Sequence, residues 1–117
     1  VNQKTYPMAN ILPFNSEEGK LSVGYRKLKV LKNNLISSRG EELIGHEFHR
    51  WKITGIKQKD HKKVLYNNAL FPSWNMSGWD INSKKEGWCN DKFHASWIHL
   101  HWPSSKNIIN NWINSLQ

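Results

Sequence analysis

Only one stretch of this 117-residue chain has the apolar spacing of an α-helix, and it lies at the end. After Pro103, the segment SSKNIINNWINSLQ places five apolar residues on one helical face, namely Ile108, Ile109, Trp112, Ile113 and Leu116. Ser104 or Ser105 is the predicted N-cap, because a hydroxyl there can accept the first free N–H groups. The rest of the chain lacks this periodicity, so its core must be built around a sheet.

Short strand-like runs make up most of the remaining chain. Alternation of apolar and polar residues predicts one or two strands over 20–31, with a break near Gly24 or Arg26. Aromatic and β-branched residues predict a strand over 42–55 and an extended segment over 94–102. These elements predict a mostly β unit of the α/β class that closes with one helix. A chain of this length is enough for a single domain.

The middle of the chain is harder to assign to regular elements. Residues 56–63 are predicted to be a polar loop or hairpin tip, and 64–71 a further short strand. Pro, Gly, Asn, Asp and Ser interrupt residues 72–93, which predicts loops with short hairpin strands.

Charge and cysteine content restrict the class of protein. The net charge of +8 would suit a polyanion partner, but the lysines are scattered and no recognised nucleic-acid motif occurs. A solvated basic surface is therefore the default interpretation, and a small basic module for nucleic acid or acidic ligands is the alternative. No apolar run is long enough to span a membrane and no secretory signal opens the sequence. The single cysteine, Cys89, fits a reducing cytoplasm.

Four of the six histidines occur in two short clusters, GHEFHRWKI (45–53) and ASWIHLHW (95–102). Residues two apart share a face of a strand, so His99 and His101 should point the same way, with Trp97 beside them. His46 and His49, three apart, should point to opposite faces. The residues alone leave open a metal site, a catalytic histidine or structural histidines.

A metal site is the least favoured of the three. Zinc needs three or four converging ligands, and Cys89 has no second cysteine in a CxxC pattern. The sequence HEFH also differs from HExxH, whose histidines need helical spacing. We expect no bound metal in this chain and no stoichiometric zinc after purification.

Four segments together carry a family resemblance: YPMANILPF (6–14), LSVGYRKLKVL (21–31), GHEFHRWKI and ASWIHLHW. Their order and approximate spacing resemble the C-terminal part of cobyrinic acid a,c-diamide synthases. The resemblance implies that residues 1–117 are the C-terminal fragment of a flavodoxin-like glutamine amidotransferase domain. It also implies a cytoplasmic protein with no nucleic-acid or membrane partner, and it leaves a homodimer open.

The same resemblance implies an enzymatic activity for the full-length protein. It would be an ATP- and Mg²⁺-dependent ligase of cobalamin biosynthesis. Such an enzyme uses ammonia from glutamine to amidate the a and c carboxylates of cobyrinic acid. A cysteine thiolate attacks the glutamine carboxamide, and an imidazole takes the thiol proton and returns it to the departing ammonia.

By resemblance, the imidazole of this reaction is His99. Three further residues are active-site candidates: Glu47, His46 and His101. Glu47 could orient an imidazole or contact substrate, although Glu47 and His46 could instead hold the local backbone together. His101 is expected to shape the site or to pack at its edge.

Two elements of the family's machinery are missing from the sequence. In the family the nucleophilic cysteine lies in a glycine-rich elbow before the YPM segment, and the ATP-dependent synthetase domain lies elsewhere in the protein. No GxxxxGK[ST] phosphate loop occurs here. Cys89, in the context EGWCNDKF, lacks the glycines of an elbow and is expected to be a small buried or edge residue. We therefore expect the chain to lack glutaminase activity by itself.

Overall fold

The computed structural model describes residues 4–9, 11–54, 64–65 and 68–117, and its main element is a six-stranded sheet. Its strands are β1 (Asn15–Val30), β2 (Glu42–Thr54), β5 (Phe71–Gly78), β6 (Ile81–Cys89), β7 (His94–Ala95) and β8 (Ile98–Leu100). Their order across the sheet is β7-β6-β5-β1-β2-β8. A separate pair comprises β3 (Val64–Leu65) and β4 (Asn68–Ala69). A short 3₁₀ turn, Trp102–Ser104, leads to helix α1 (Asn107–Asn114).

The sheet has a covered face and an open face. On the covered face, alternate residues of the strands form the core: Leu28, Val30, Leu43, Trp74, Met76 and Ile98, joined by Ile108 of α1. On the open face, large side chains remain in contact with solvent, among them Val23, Tyr25, Ile44 and Phe48. The period of two in β1 and β2 thus separates a packed surface from an apolar, exposed one.

The predicted class, a strand-rich α/β unit with one C-terminal helix, is confirmed. The strand over 20–31 is also confirmed, as one continuous strand in which Gly24 has a φ of 144°. The strand over 42–55 is confirmed as far as Thr54, the last residue described there. Every strand pairing among the described residues is antiparallel. The parallel β-α-β unit of a flavodoxin-like core does not occur in this part of the chain.

The prediction of loops with short hairpin strands over 72–93 is confirmed for the hairpin, but it overestimated the share of loops. Most of this region forms the regular hairpin of β5 and β6, which is closed by Asp80 with a φ of 57°. Trp74 and Met76 are completely buried on the covered face, and this burial outweighs the turn-forming tendency of the polar residues around them. The predicted strand over 64–71 is divided between β3, β4 and the start of β5. The predicted loop over 56–63 lies outside the described residues.

The C-terminal helix forms where it was predicted, but its cap is different. Lys106 is the N-cap and makes no side-chain capping bond, so neither Ser104 nor Ser105 has the predicted capping role. Ser105 instead accepts the N–H of Ile108 with its backbone carbonyl, which tightens the first turn. Within the described ranges, no helix is long and apolar enough to cross a membrane.

Candidate functional site

His99 lies on the open face, at the edge of the sheet. It is the central residue of β8, and its neighbour Ile98 points into the core with 6% of its surface exposed. Alternation along the strand therefore directs the exposed His99 imidazole away from the core. A group in this position can reach a reactant that approaches the open face.

His46 is the direct cross-strand neighbour of His99. The N–H of His101 donates to the Ile44 carbonyl at 3.1 Å. Hydrogen-bonded pairs recur at every second position of an antiparallel ladder, so His46 and His99 also form a pair of the hydrogen-bonded type. Their Cα atoms are therefore about 5.5 Å apart, with both side chains on the open face. The structure thus brings together two histidines that are separated by more than fifty positions in the sequence.

Aromatic rings surround His46 on the same face. Tyr25 is opposite His46 on β1 and meets it edge-on, with ring centroids 5.4 Å apart. Phe48 is parallel to His46 at 6.5 Å. Tyr25, His46 and His99 consequently form a row across three adjacent strands, in which Tyr25 and His99 are exposed and His46 is half-buried.

Glu47 lies on the opposite, covered face and does not contact this row. It is buried and accepts a hydrogen bond from Arg26 Nε at 2.7 Å and one from His49 Nε2 at 2.8 Å. Burial alone would raise the pKa of Glu47, but the hydrogen bonds and charges of Arg26 and His49 outweigh it and hold the pKa below its usual value. Glu47 is therefore a buried carboxylate held between Arg26 and His49.

The imidazole that Glu47 orients is that of His49. The other ring nitrogen, Nδ1, is 2.7 Å from the Trp51 carbonyl oxygen, which can only accept a hydrogen bond. Contacts at both ring nitrogens therefore fix the orientation of the His49 ring. Its ring also stacks on Trp97 at 4.7 Å, and the chain bends at Trp97 before β8 begins. His46 and His49 lie on opposite faces, as the strand periodicity predicted.

His101 lies just beyond the end of β8 and is tied to the following turn. Its Nδ1 is 2.9 Å from Ser104 Oγ, and the Ser104 hydroxyl donates to the His101 carbonyl at the same distance. The exposed His101 ring therefore contacts the 3₁₀ turn that leads into α1.

Cys89 is completely buried in β6, and burial raises the pKa of its thiol. His94 is its cross-strand neighbour on β7, and burial lowers the pKa of His94 to about 4. Ser73 contacts both groups and is 3.3 Å from His94 Nδ1. A protonated thiol next to a neutral imidazole has neither the access nor the ionisation of a nucleophile, which agrees with the prediction of a small buried cysteine.

Glu86 is a buried carboxylate that the sequence reasoning missed. It accepts hydrogen bonds from Trp74 Nε1 at 2.6 Å, from the Ser96 hydroxyl at 2.7 Å and from the Trp97 N–H at 2.9 Å. Ser96 in turn accepts the N–H of Ile98 at 2.8 Å. Glu86 therefore holds the corner from which β8 starts, and so positions His99. Nothing in the local pattern of β6 distinguishes Glu86 from an exposed acidic residue.

Gly45, the first residue of the GHEFH segment, permits the close approach of β8 to β2. A Cβ atom at this position would overlap the Ile98 side chain and lie 3.0 Å from the His99 carbonyl oxygen. The described residues contain no group of three or more His, Cys, Asp or Glu side chains that could hold a metal ion.

Comparison with known proteins identifies relatives for most of the chain. It is 37% identical to a cobyrinate a,c-diamide synthase of Synechocystis sp. over 100 residues, which is 85% of this chain and 19% of the relative. It is 31% identical to the enzyme of that name from Sulfurisphaera tokodaii over 110 residues, 93% of this chain and 23% of the relative. A hydrogenobyrinate a,c-diamide synthase of Mycobacterium tuberculosis is 30% identical over 81 residues, 69% of this chain and 15% of the relative.

The chain spans about a fifth of the length of these curated relatives. No protein-family profile and no solved structure matches it. Across the segment that these relatives share with it, the chain belongs to the cobyrinate a,c-diamide synthase family.

Proposed function

We propose that this chain is the C-terminal part of a cobyrinate a,c-diamide synthase and supplies the imidazole of its glutamine-hydrolysing centre. The observation that carries the proposal is the position of His99, exposed on the open face in the middle of β8. The similarity over 85% of the chain to a synthase of this name supports the choice of reaction. The activity is ATP-dependent amidation of the a and c carboxylates of cobyrinic acid with ammonia from glutamine.

On this proposal, a cysteine thiol from another part of the longer protein approaches the open face. His99 takes the thiol proton, the thiolate attacks the glutamine carboxamide, and the imidazolium then protonates the departing ammonia. His46 lies directly beside the base, and Tyr25 lies on the far side of His46 in the next strand. The described antiparallel sheet would be one portion of a flavodoxin-like amidotransferase domain, and ATP and Mg²⁺ would bind to the synthetase domain.

The test uses a chimera in which this chain replaces the matching segment of the Synechocystis relative. His99→Asn should lower glutamine-dependent amidation by about 10²- to 10⁴-fold, the usual contribution of a general base. Amidation with free ammonia should be retained, because ammonia bypasses glutamine hydrolysis.

His101→Asn is the matched control, since His101 is an exposed histidine tied to Ser104. This variant should be milder with both nitrogen donors. An equal loss of both activities in His99→Asn would make His99 structural, and a selective loss in His101→Asn alone would identify His101 as the base. The 117-residue chain by itself should release no glutamate from glutamine above background.

A further inference from the structure

Ser96 and Trp97 connect the two edges of the six-stranded sheet, and we name these two residues the edge connection. β7 ends at Ala95 and β8 begins at Ile98, yet these strands are the first and the last across the sheet. The outer strands of a flat six-stranded sheet would be about 24 Å apart, whereas three Cα–Cα steps span about 11 Å at most. The sheet is therefore curved so strongly that its two edges approach each other at the edge connection.

Glu86 on β6 holds the backbone of the edge connection. One oxygen of this carboxylate accepts the Trp97 N–H at 2.9 Å, and the other accepts the Ser96 hydroxyl at 2.7 Å. The second oxygen also accepts the indole N–H of Trp74 at 2.6 Å. Glu86 is 5% exposed and Trp74 is completely buried, so the carboxylate is fixed in the core. The start of β8 is thereby attached to β6.

The side chain of Trp97 is held by a different strand, β2. Its ring stacks on that of His49, with centroids 4.7 Å apart and planes 17° apart. The His49 ring is itself fixed by contacts with the buried Glu47 at 2.8 Å and with the Trp51 carbonyl oxygen at 2.7 Å. β2 and β6 are not neighbours in the sheet. Networks around two buried carboxylates, Glu86 and Glu47, therefore meet at Trp97.

The placement of β8 depends on this anchoring because the strand itself is short. β8 has three residues and, among the described residues, pairs only with β2. An edge element with so few ladder hydrogen bonds opens readily unless its ends are fixed. His99 follows Trp97 by two positions, so a shift of the edge connection moves the imidazole. Displacement of a reacting group by about 1 Å can lower a rate about 100-fold.

We infer that Trp97 is a positioning residue for the His99 imidazole. Its indole, packed on His49, and its N–H, bonded to Glu86, together fix the start of β8. Trp97 contacts His49 on the covered face, away from any reactant at the open face, so it acts only through the placement of His99. The inference rests on the proposed function for the role of His99, but the anchoring of β8 can be measured without it.

Amide hydrogen exchange of the 117-residue chain measures the anchoring. Trp97→Leu removes the stacked ring and keeps the N–H that Glu86 accepts. The amides of His99 and His101, which lie in or next to the β2–β8 ladder, should exchange about three- to tenfold faster, the effect of losing one aromatic pair. Trp97→Phe keeps a ring for His49 and should restore slow exchange. Unchanged exchange in Trp97→Leu would overturn the inference.

Trp88→Leu is the matched control. Trp88 is also half-buried, and its ring contacts that of Phe14 with the same centroid distance, 4.7 Å. This variant should leave exchange at His99 and His101 unchanged. Equal acceleration in Trp88→Leu and Trp97→Leu would indicate a general loosening of the fold and would refute a specific role for Trp97.

The chimera with the Synechocystis relative tests the consequence for catalysis. Trp97→Leu should lower the ratio of glutamine-dependent to ammonia-dependent amidation about tenfold or more, because the imidazole is displaced. Trp97→Phe should restore this ratio, and Trp88→Leu should leave it unchanged. Faster exchange with an unchanged ratio in Trp97→Leu would refute the positioning role. Absence of a selective loss in His99→Asn would instead refute the proposed function, so the two failures are distinguishable.

Discussion

Replacement of Glu47 by Gln should be among the most destabilising single changes in the chain. Arg26 and Glu47 are 4% and 3% exposed, and their charged atoms are 2.7 Å apart. Removing the carboxylate leaves the Arg26 guanidinium buried without its counter-charge and takes the acceptor from His49. The cost of breaking a buried ion pair from one side is about 3–5 kcal/mol. This is a large fraction of the roughly 5–15 kcal/mol that stabilises a typical domain.

Urea unfolding followed by tryptophan fluorescence measures this loss. A urea dependence of about 1–3 kcal/mol per molar converts it into a midpoint lower by 1 M or more. Glu17→Gln is the matched control, because Glu17 also pairs with a cation on β2 but is 52% exposed. That exposed pair should contribute less than about 1 kcal/mol.

A double variant distinguishes the effect of an unpaired buried charge from the effect of lost packing. Arg26→Met combined with Glu47→Leu removes both charges at once, and it should be less destabilised than Glu47→Gln alone. A Glu47→Gln variant within 1 kcal/mol of the parent chain would refute a structural role for Glu47. It would also restore Glu47 as a candidate for substrate contact.

Three further outcomes follow from the geometry. Gly45→Ala should displace β8 and reduce the free energy of unfolding by more than 1 kcal/mol, because the added Cβ overlaps Ile98; unchanged urea stability would contradict the close approach. The Cys89 thiol should react with a thiol reagent only in denaturant, and rapid labelling of the native chain would contradict its burial. Folding lowers the pKa of His94 from 6.5 to about 4, because the buried ring disfavours the charged form. The neutral His94 therefore contributes its full share of stability above pH 6.5, and this share is lost as the pH falls through 4. Urea titrations should show that the free energy of unfolding falls by about 3 kcal/mol over this pH range. A fall of the same size in His94→Gln would show that other groups cause the pH dependence.

Elements that depend on local periodicity could be predicted from the amino-acid sequence. The C-terminal helix, the two long strands and the opposite orientation of His46 and His49 all follow from spacings of 3.6 and 2 residues. The four quoted segments were also sufficient to identify the family, because a specific order of short motifs does not depend on how the strands pair. The role of His99 stays a prediction that the open position of its side chain supports.

Contacts between side chains on different strands could not be predicted and became visible only in the folded sheet. Strand pairing placed His46 beside His99 and placed Glu47 with Arg26 and His49 on the other face, and none of these contacts is encoded in local spacing. The predicted short hairpin strands over 72–93 are also longer and more regular than expected, because the burial of Trp74 outweighs local turn preferences only once the strands have assembled. Which strands pair depends on the free energy of the whole sheet. A local sequence pattern reflects only the interactions between residues that are close together along the chain.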